Sequence, residues 1–354
     1  MTSLERRVLL LLVGLALAST ASGFAADVNV RIRTWKIPPA SHYPHDPLVA
    51  QDGSIWYTAR YSNTIGRFDP KSEQFKEYVT NIPNSGPHGI VQDKDGIIWF
   101  TAIDAKPTYL GRLDPRTGQF REFPVKLPAV SVNDPSPASA HTLTLDGRGN
   151  IWFTLLGSDM VGRFNIKTEQ MNIARSPQHP AGPYGIVVNE QGVPFFTLMR
   201  TNKIGAIDPE TMAVRLYEIP NPAARPRRPA ITPDGAVWYT DFERGMLGRL
   251  DLKSGKFDEW PSPGGAWSRP YAIYALGNVI WYNESWLTPS TIVRFDPETH
   301  QFRSWPVADC DDGIYQFVAD GDRNLWFTCH GTDRIGKVEI LDDPASKNAG
   351  AAGK

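Results

Sequence analysis

No cluster of basic residues occurs anywhere in this chain of 354 residues, whose 37 Lys and Arg are matched by 38 Asp and Glu for a formal charge of −1. Without a basic block, neither nucleic acid nor an anionic membrane surface is expected as a partner. Long apolar runs are also missing, apart from one near the start. There Arg6 and Arg7 precede the apolar stretch from Val8 to Ala18, and small residues follow as far as Ala25 and Ala26. This is the layout of a secretion signal, with an apolar core too short to be read as a membrane span. Residues 1–26 are therefore expected to be a signal peptide, 27–341 a single folded unit, and 342–354 a disordered tail. The mature protein is expected to be exported, with the bacterial periplasm as its destination. Cysteine is scarce too. Cys310 and Cys329 are the only two, and in an oxidising compartment such a pair is either one disulfide or two buried thiols.

Against these absences stand 30 Gly, 30 Pro and 11 Trp, a composition suited to a turn-rich, aromatic β protein. One sentence recurs: IWYTA (55–59), IWFTA (98–102), IWFTL (151–155), PFFTL (194–198), VWYTD (237–241), IWYNE (280–284) and LWFTC (325–329). Its anchors Trp56, Trp99, Trp152, Phe195, Trp238, Trp281 and Trp326 lie 43, 53, 43, 43, 43 and 45 residues apart. A third strand ending in a turn follows each copy (IGRFDP, LGRLDP, VGRFNI and so on), and a fourth follows six of them (QFKEYV, QFREFP, KFDEWP). Four short strands per unit of this length spell a propeller blade. The seventh unit runs out after its third strand, and RIRTWKIP (31–38) matches the missing outer strand. The expected fold is all-β: a seven-bladed propeller of four antiparallel strands per blade, closed by strand 31–38, which leaves no bare sheet edge. A closed ring of this kind is expected to be a monomer.

Eleven residues before each anchor, or ten in the shorter sixth blade, stand His45, His88, His141, Tyr184, Arg227, Tyr271 and Tyr315. First strands of propeller blades line the central channel, so these positions should form a ring around it. Not one of the seven is apolar. Three imidazoles from consecutive blades can converge on zinc, copper, nickel or iron, or can shuttle protons. His330, near the end of a second strand, would sit beside His45 once the ring closes and could be a fourth ligand. Arg60, Asp241 and Glu284 occupy similar strand ends, and Glu284 could act as a catalytic acid or base alongside His45 and His88. Tyr184, Tyr271 and Tyr315 would stack on or hydrogen-bond a small-molecule ligand in the channel, and Arg227 would stabilise a developing oxyanion. A metal-free ligand mouth and a merely wet, structural ring remain as alternatives. The long join VKLPAVSVNDPSPASA (125–140) is expected to cover the same face.

The repeat elements P-H/Y-G-I, D-G-x-I-W-F-T and I-G-R-hydrophobic-D resemble those of the virginiamycin B lyases, also called streptogramin lyases, over residues 30–341. The resemblance implies the seven-bladed fold. It also implies a metal-assisted elimination that opens a cyclic ester without water, in which a magnesium ion polarises the ester and a histidine handles the proton. In colinear register the family's two histidines fall on Arg227 and Tyr271, its first acid on Arg269, and its second on Ser285, with Glu284 one residue away. Rotated about the pseudo-symmetry axis, the histidine pair reappears as His45 and His88, with Gly86 and Ile103 at the acid positions. Two readings follow: a secreted lyase or hydrolase acting on a cyclic ester or similar small molecule, and a non-catalytic propeller that binds a ligand or protein at the same mouth.

Overall fold

The computed structural model of the chain describes residues 28–39, 42–128 and 138–342. They form seven four-stranded antiparallel sheets. The inner strands, beginning with Pro44–Val49 in blade one and ending with Ile314–Ala319 in blade seven, each touch the next, and the last packs back on the first. Blade seven is completed by Asn29–Lys36, which pairs antiparallel with Arg334–Asp342. The closing strand thus lies two residues earlier than 31–38, because Pro38 and Pro39 follow it and proline has no N–H to give a ladder. The secretion signal, positions 343–354 of the tail, and positions 129–137 of the long join lie outside the described residues, whereas Asp342, expected to open the tail, ends the strand Arg334–Asp342.

The recurring words of the sequence each do something local. In DKDGIIW, Asp93 caps its own turn by accepting the amides of Asp95 and Ile97, and its second oxygen accepts the Trp99 indole N–H at 2.8 Å. Asp146 and Asp320 hold Trp152 and Trp326 in the same way. The glycine of each I-G-R is required by a close approach. A Cβ on Gly111 would lie 2.0 Å from Cζ of Phe100, and one on Gly162 2.1 Å from Cζ of Phe153. Both rings are fully buried, so neither can swing aside. Gly111→Ala should therefore cost about 1–3 kcal/mol through overpacking, read as a lower urea midpoint at unchanged slope. In blade six, Val293 takes the equivalent place opposite Tyr282.

The core is divided among the seams between blades. Trp99 packs with Ile151 and Phe153 of the next blade, and Trp326 packs with Ile55 and Tyr57 across the closure. Each blade's apolar face is buried only because its neighbours are present, so closing the ring completes the last seam. Cys310 and Cys329 form a disulfide with 5.4 Å between their Cα atoms. It ties the loop entering blade seven to the end of that blade's second strand, one residue before His330.

Candidate functional site

The ring positions come together as their spacing predicts. His45 and His88 have ring centroids 3.8 Å apart, His88 and His141 4.1 Å, and His141 and Tyr184 4.1 Å. Tyr271 and Tyr315 follow at 4.8 Å, and Tyr315 returns to His45 at 4.9 Å. The Tyr184 and Tyr271 hydroxyls hydrogen-bond to each other. Arg227 lies outside this run of touching rings, its guanidinium carbon 5.3 Å from the Tyr184 centroid and 4.5 Å from that of Phe242.

Threonines of the repeated Trp-aromatic-Thr core hold the ring in place. Each donates its hydroxyl to the carbonyl of the next blade's ring residue: Thr58 to His88 and Thr101 to His141 at 2.6 Å, Thr154 to Tyr184 and Thr240 to Tyr271 at 2.7 Å, and Thr328 to His45 across the closure. The oxygens of Thr58, Thr101, Thr154 and Thr240 also accept the amide one residue past their own blade's ring position, from Asp46, Gly89, Thr142 and Arg228, and Thr197, which donates to the Arg227 carbonyl, accepts that of Gly185 in the same way. Blade six substitutes Asn283, whose Oδ1 accepts from Ala272 at 2.8 Å. The ring is therefore built on the backbone, one blade latched to the next.

Every inner strand carries a register shift at this point, for example between Pro44 and Pro47 and between Pro226 and Pro229. Three inner-strand steps there oppose two on the partner strand. The period of two is lost, and the residue after the ring position is released from facing away. Asp46 and Arg228 are the consequence. Both are buried, and they meet from blades one and five, Arg228 Nη2 donating to Asp46 Oδ1 at 2.9 Å and Nη1 to Thr142 Oγ1 at 3.0 Å. Strict alternation would have turned them outward, so neither was expected at the site. The legible signal was a pair of consecutive polar residues between prolines, P-H-D-P and P-R-R-P.

Asp46 Oδ1 also accepts His45 Nδ1–H at 2.9 Å, and His88 Nδ1–H donates to the His141 carbonyl at 3.2 Å. Both donations leave Nε2 as the lone-pair nitrogen. Burial lowers the pKa of His45, in spite of Asp46, and takes His88 and His141 well below the usual histidine range. For His88 the neighbouring His45 and His141 add to this; for His141, Arg228 does. Asp46 shifts down: burial alone would raise it, but Arg228 and His45 outweigh burial. At neutral pH the cluster is three neutral imidazoles above a compensated Asp–Arg pair.

These groups floor a recess of about 530 Å³ lined by His45, His88, His141, Tyr184, Tyr271 and Tyr315, with His330, Arg60, Phe242 and Trp286 around them. His330 joins at the blade-seven side, its ring 4.9 Å from Tyr315 and 5.9 Å from His45. Burial, with His45 beside it, lowers its pKa to about 4. Arg60 forms a two-pronged pair with Asp104. Glu284 and Asp241 do not line the recess. Glu284 is buried and accepts from Ser262 and the Gly264 amide at 2.5 Å, while Asp241 accepts from the Arg225 amide and pairs with Arg244. Each braces the loop that feeds its own blade's inner strand. Among the described residues, His45, Asp46 and His88 form a group whose ligand atoms all lie within 4.8 Å of one another and could hold a metal ion. His141 and His330 are not part of it.

The sequence pattern of the Virginiamycin B lyase family matches residues 25–192 and 129–346. Among solved structures, a streptogramin B lyase superposes with a TM-score of 0.78 at 24% identity, covering 88% of this chain and 98% of its own. The selenomethionine-substituted virginiamycin B lyase from Staphylococcus aureus gives 0.78 at 23% identity, over 88% of this chain and all of its own. A catalytically inactive variant of that enzyme, with quinupristin, gives 0.78 at 22% identity over the same shares. At these identities the likeness is one of fold. No curated protein sequence matches the chain.

Proposed function

The chain belongs to the virginiamycin B lyase family, and from that premise we propose that its recess binds a small molecule, a cyclic ester or a close analogue, and opens it by lyase or hydrolase chemistry. The observation that carries this reading is the chain Arg228–Asp46–His45. It fixes the imidazole through Nδ1 and leaves a neutral Nε2 at the floor of the recess. In an elimination, Nε2 takes the proton on the carbon α to a carbonyl. The C–H electrons form a C=C bond, and the β C–O bond breaks with its pair leaving on a carboxylate. In a hydrolysis, Nε2 would take the proton of an attacking water instead. Burial raises the pKa of Tyr271 far above the ordinary value and that of Tyr315 to about 12. Both phenols therefore stay protonated and can donate to the ester oxygen. An exported protein would meet such compounds outside the cytoplasm, and the disulfide suits that compartment.

The magnesium implied by the family would want several oxygen ligands. The cluster offers one carboxylate, Asp46, already held by Arg228, so the residues present do not fit magnesium. Two imidazoles and a carboxylate suit zinc, iron or copper, which His45, Asp46 and His88 would hold. Such an ion would supply Lewis-acid polarisation of the carbonyl. It would also compete with proton transfer for Nε2 of His45, so turnover should be assayed with and without chelator.

A panel of cyclic depsipeptides and lactones followed by mass spectrometry tests the reading. Ring opening at unchanged mass is elimination, and a product one water heavier is hydrolysis. His45→Ala should lose at least about a hundredfold in rate. Binding without turnover would leave the non-catalytic reading, which the imidazoles lining the recess and the placement of Glu284 and Asp241 away from it also allow.

A further inference from the structure

Directly behind Tyr184 and Phe242, in the blade-four to blade-six wall of the recess, stands a guanidinium that proton chemistry at His45 does not use. Arg227 Nε and Nη1 are buried and have no hydrogen-bond partner. No carboxylate pairs with this guanidinium among the described residues, whereas Arg60, Arg228 and Arg269 have Asp104, Asp46 and Glu243. Its charge is offset only by two aromatic faces, Tyr184 and Phe242, both of which line the recess. Cation–π contacts of this kind hold the plane of the guanidinium against the rings. They satisfy no N–H, and a buried N–H left without a partner is costly unless an acceptor arrives. Beyond Phe242 stands Arg269, whose guanidinium lies 5.0 Å from the Phe242 ring and 4.9 Å from that of Trp286, itself 60% exposed. The wall therefore alternates aromatic faces and guanidinium planes out to solvent.

We propose that this wall is an anion subsite: Arg227 receives a carboxylate of the ligand while Tyr184, Phe242 and Trp286 flank an aromatic ring attached to it. The family's histidine position is occupied here by a residue that cannot serve as a base, since a guanidinium stays protonated. What it can do is fork onto a planar anion. The ligand class is thus an aromatic carboxylic acid or a cyclic ester bearing such an acid. This rests on the recess being a small-molecule site, and it adds which end of the recess takes the charge.

The test uses 4-hydroxybenzoate and its uncharged counterpart 4-hydroxybenzamide as probes, read by calorimetry and by quenching of the exposed Trp286 in the full-length mature protein. Wild type should bind the carboxylate at least about tenfold more tightly, the effect of a charged hydrogen bond in a partly buried site. Arg227→Met should bring the ratio to about one, and Arg227→Lys should restore part of the preference. Melting curves for both variants establish that they are folded. Equal binding of the two probes by wild type, an unchanged ratio in Arg227→Met, or no binding of either probe overturns the subsite. If neutral cyclic esters still bind or turn over in that last case, the recess stands without it. If they do not, the recess reading falls as well.

Discussion

Acidification from pH 7 to pH 4 should cost this protein at least about 3 kcal/mol of folding stability, with the loss beginning near pH 6.5. His330 is held neutral in the folded state, its pKa lowered by burial to about 4, against 6.5 in an unfolded chain. Between those values the unfolded state binds a proton that the native state refuses, so stability rises with pH there and falls as pH drops. A gap of about 2.5 units is worth about 3 kcal/mol at pH 4. His45, His88 and His141 have pKa values displaced in the same direction by burial and add to the slope. Asp46 does not contribute in this window, because its own pKa lies below the carboxylate value and its stabilisation is lost only at lower pH. Glu77, raised by burial beside His42, works in the opposite sense near its own titration. Urea denaturation at pH 7.5, 5.5 and 4.5, in EDTA so that no metal equilibrium enters, measures the slope. His88→Gln should flatten it. A stability that stays level from pH 7 to pH 5 would mean that protons reach the ring without unfolding, and that the imidazoles are wetter than their burial implies.

Much of the architecture was legible because the repeat states it in residues with single jobs. The Trp indole needs the turn aspartate, the I-G-R glycine makes room for the aromatic, and the threonine latches one blade to the next. A count along the chain therefore recovered seven blades, the closing outer strand and the six ring residues that line the recess. The site was less legible for a reason of the same physical kind. Reading a strand assumes alternation, and alternation predicts that the neighbours of His45 and Arg227 face away. The register shift in every inner strand breaks that rule where the chemistry sits. It is visible only once strand partners are known.

Carboxylates misled for a different reason. Glu284 and Asp241 stand at strand ends beside the mouth, where a catalytic acid would be looked for. The same position adjoins loop amides that need acceptors. Gly264 N–H and Arg225 N–H claim the two side chains. Position in a repeat says which end of the blade a residue occupies. Whether it faces the axis or the loop depends on which unpaired donors lie nearby.

Asp46 and Arg228 also carry the second large expected effect. Arg228→Met should destabilise the protein by about 3–5 kcal/mol, because it leaves a buried carboxylate with only a neutral imidazole as partner. Asp46→Leu should do comparable damage by stranding a buried guanidinium whose Nε already lacks an acceptor. The double variant Asp46→Leu with Arg228→Met removes both charges and fills similar volume, so it should recover most of the loss. Its effect on His45 should not recover. Without the carboxylate, nothing fixes the proton on Nδ1, and nitrogen NMR of the imidazole should report a shift away from the Nδ1–H tautomer. Stability restored together with a lost tautomer would mean that the ion pair is present to orient His45 rather than to hold the propeller closed. A double variant as unstable as either single one would assign the pair a structural role, spanning the channel from blade one to blade five. His45 would then be a base that the fold tolerates rather than one it positions.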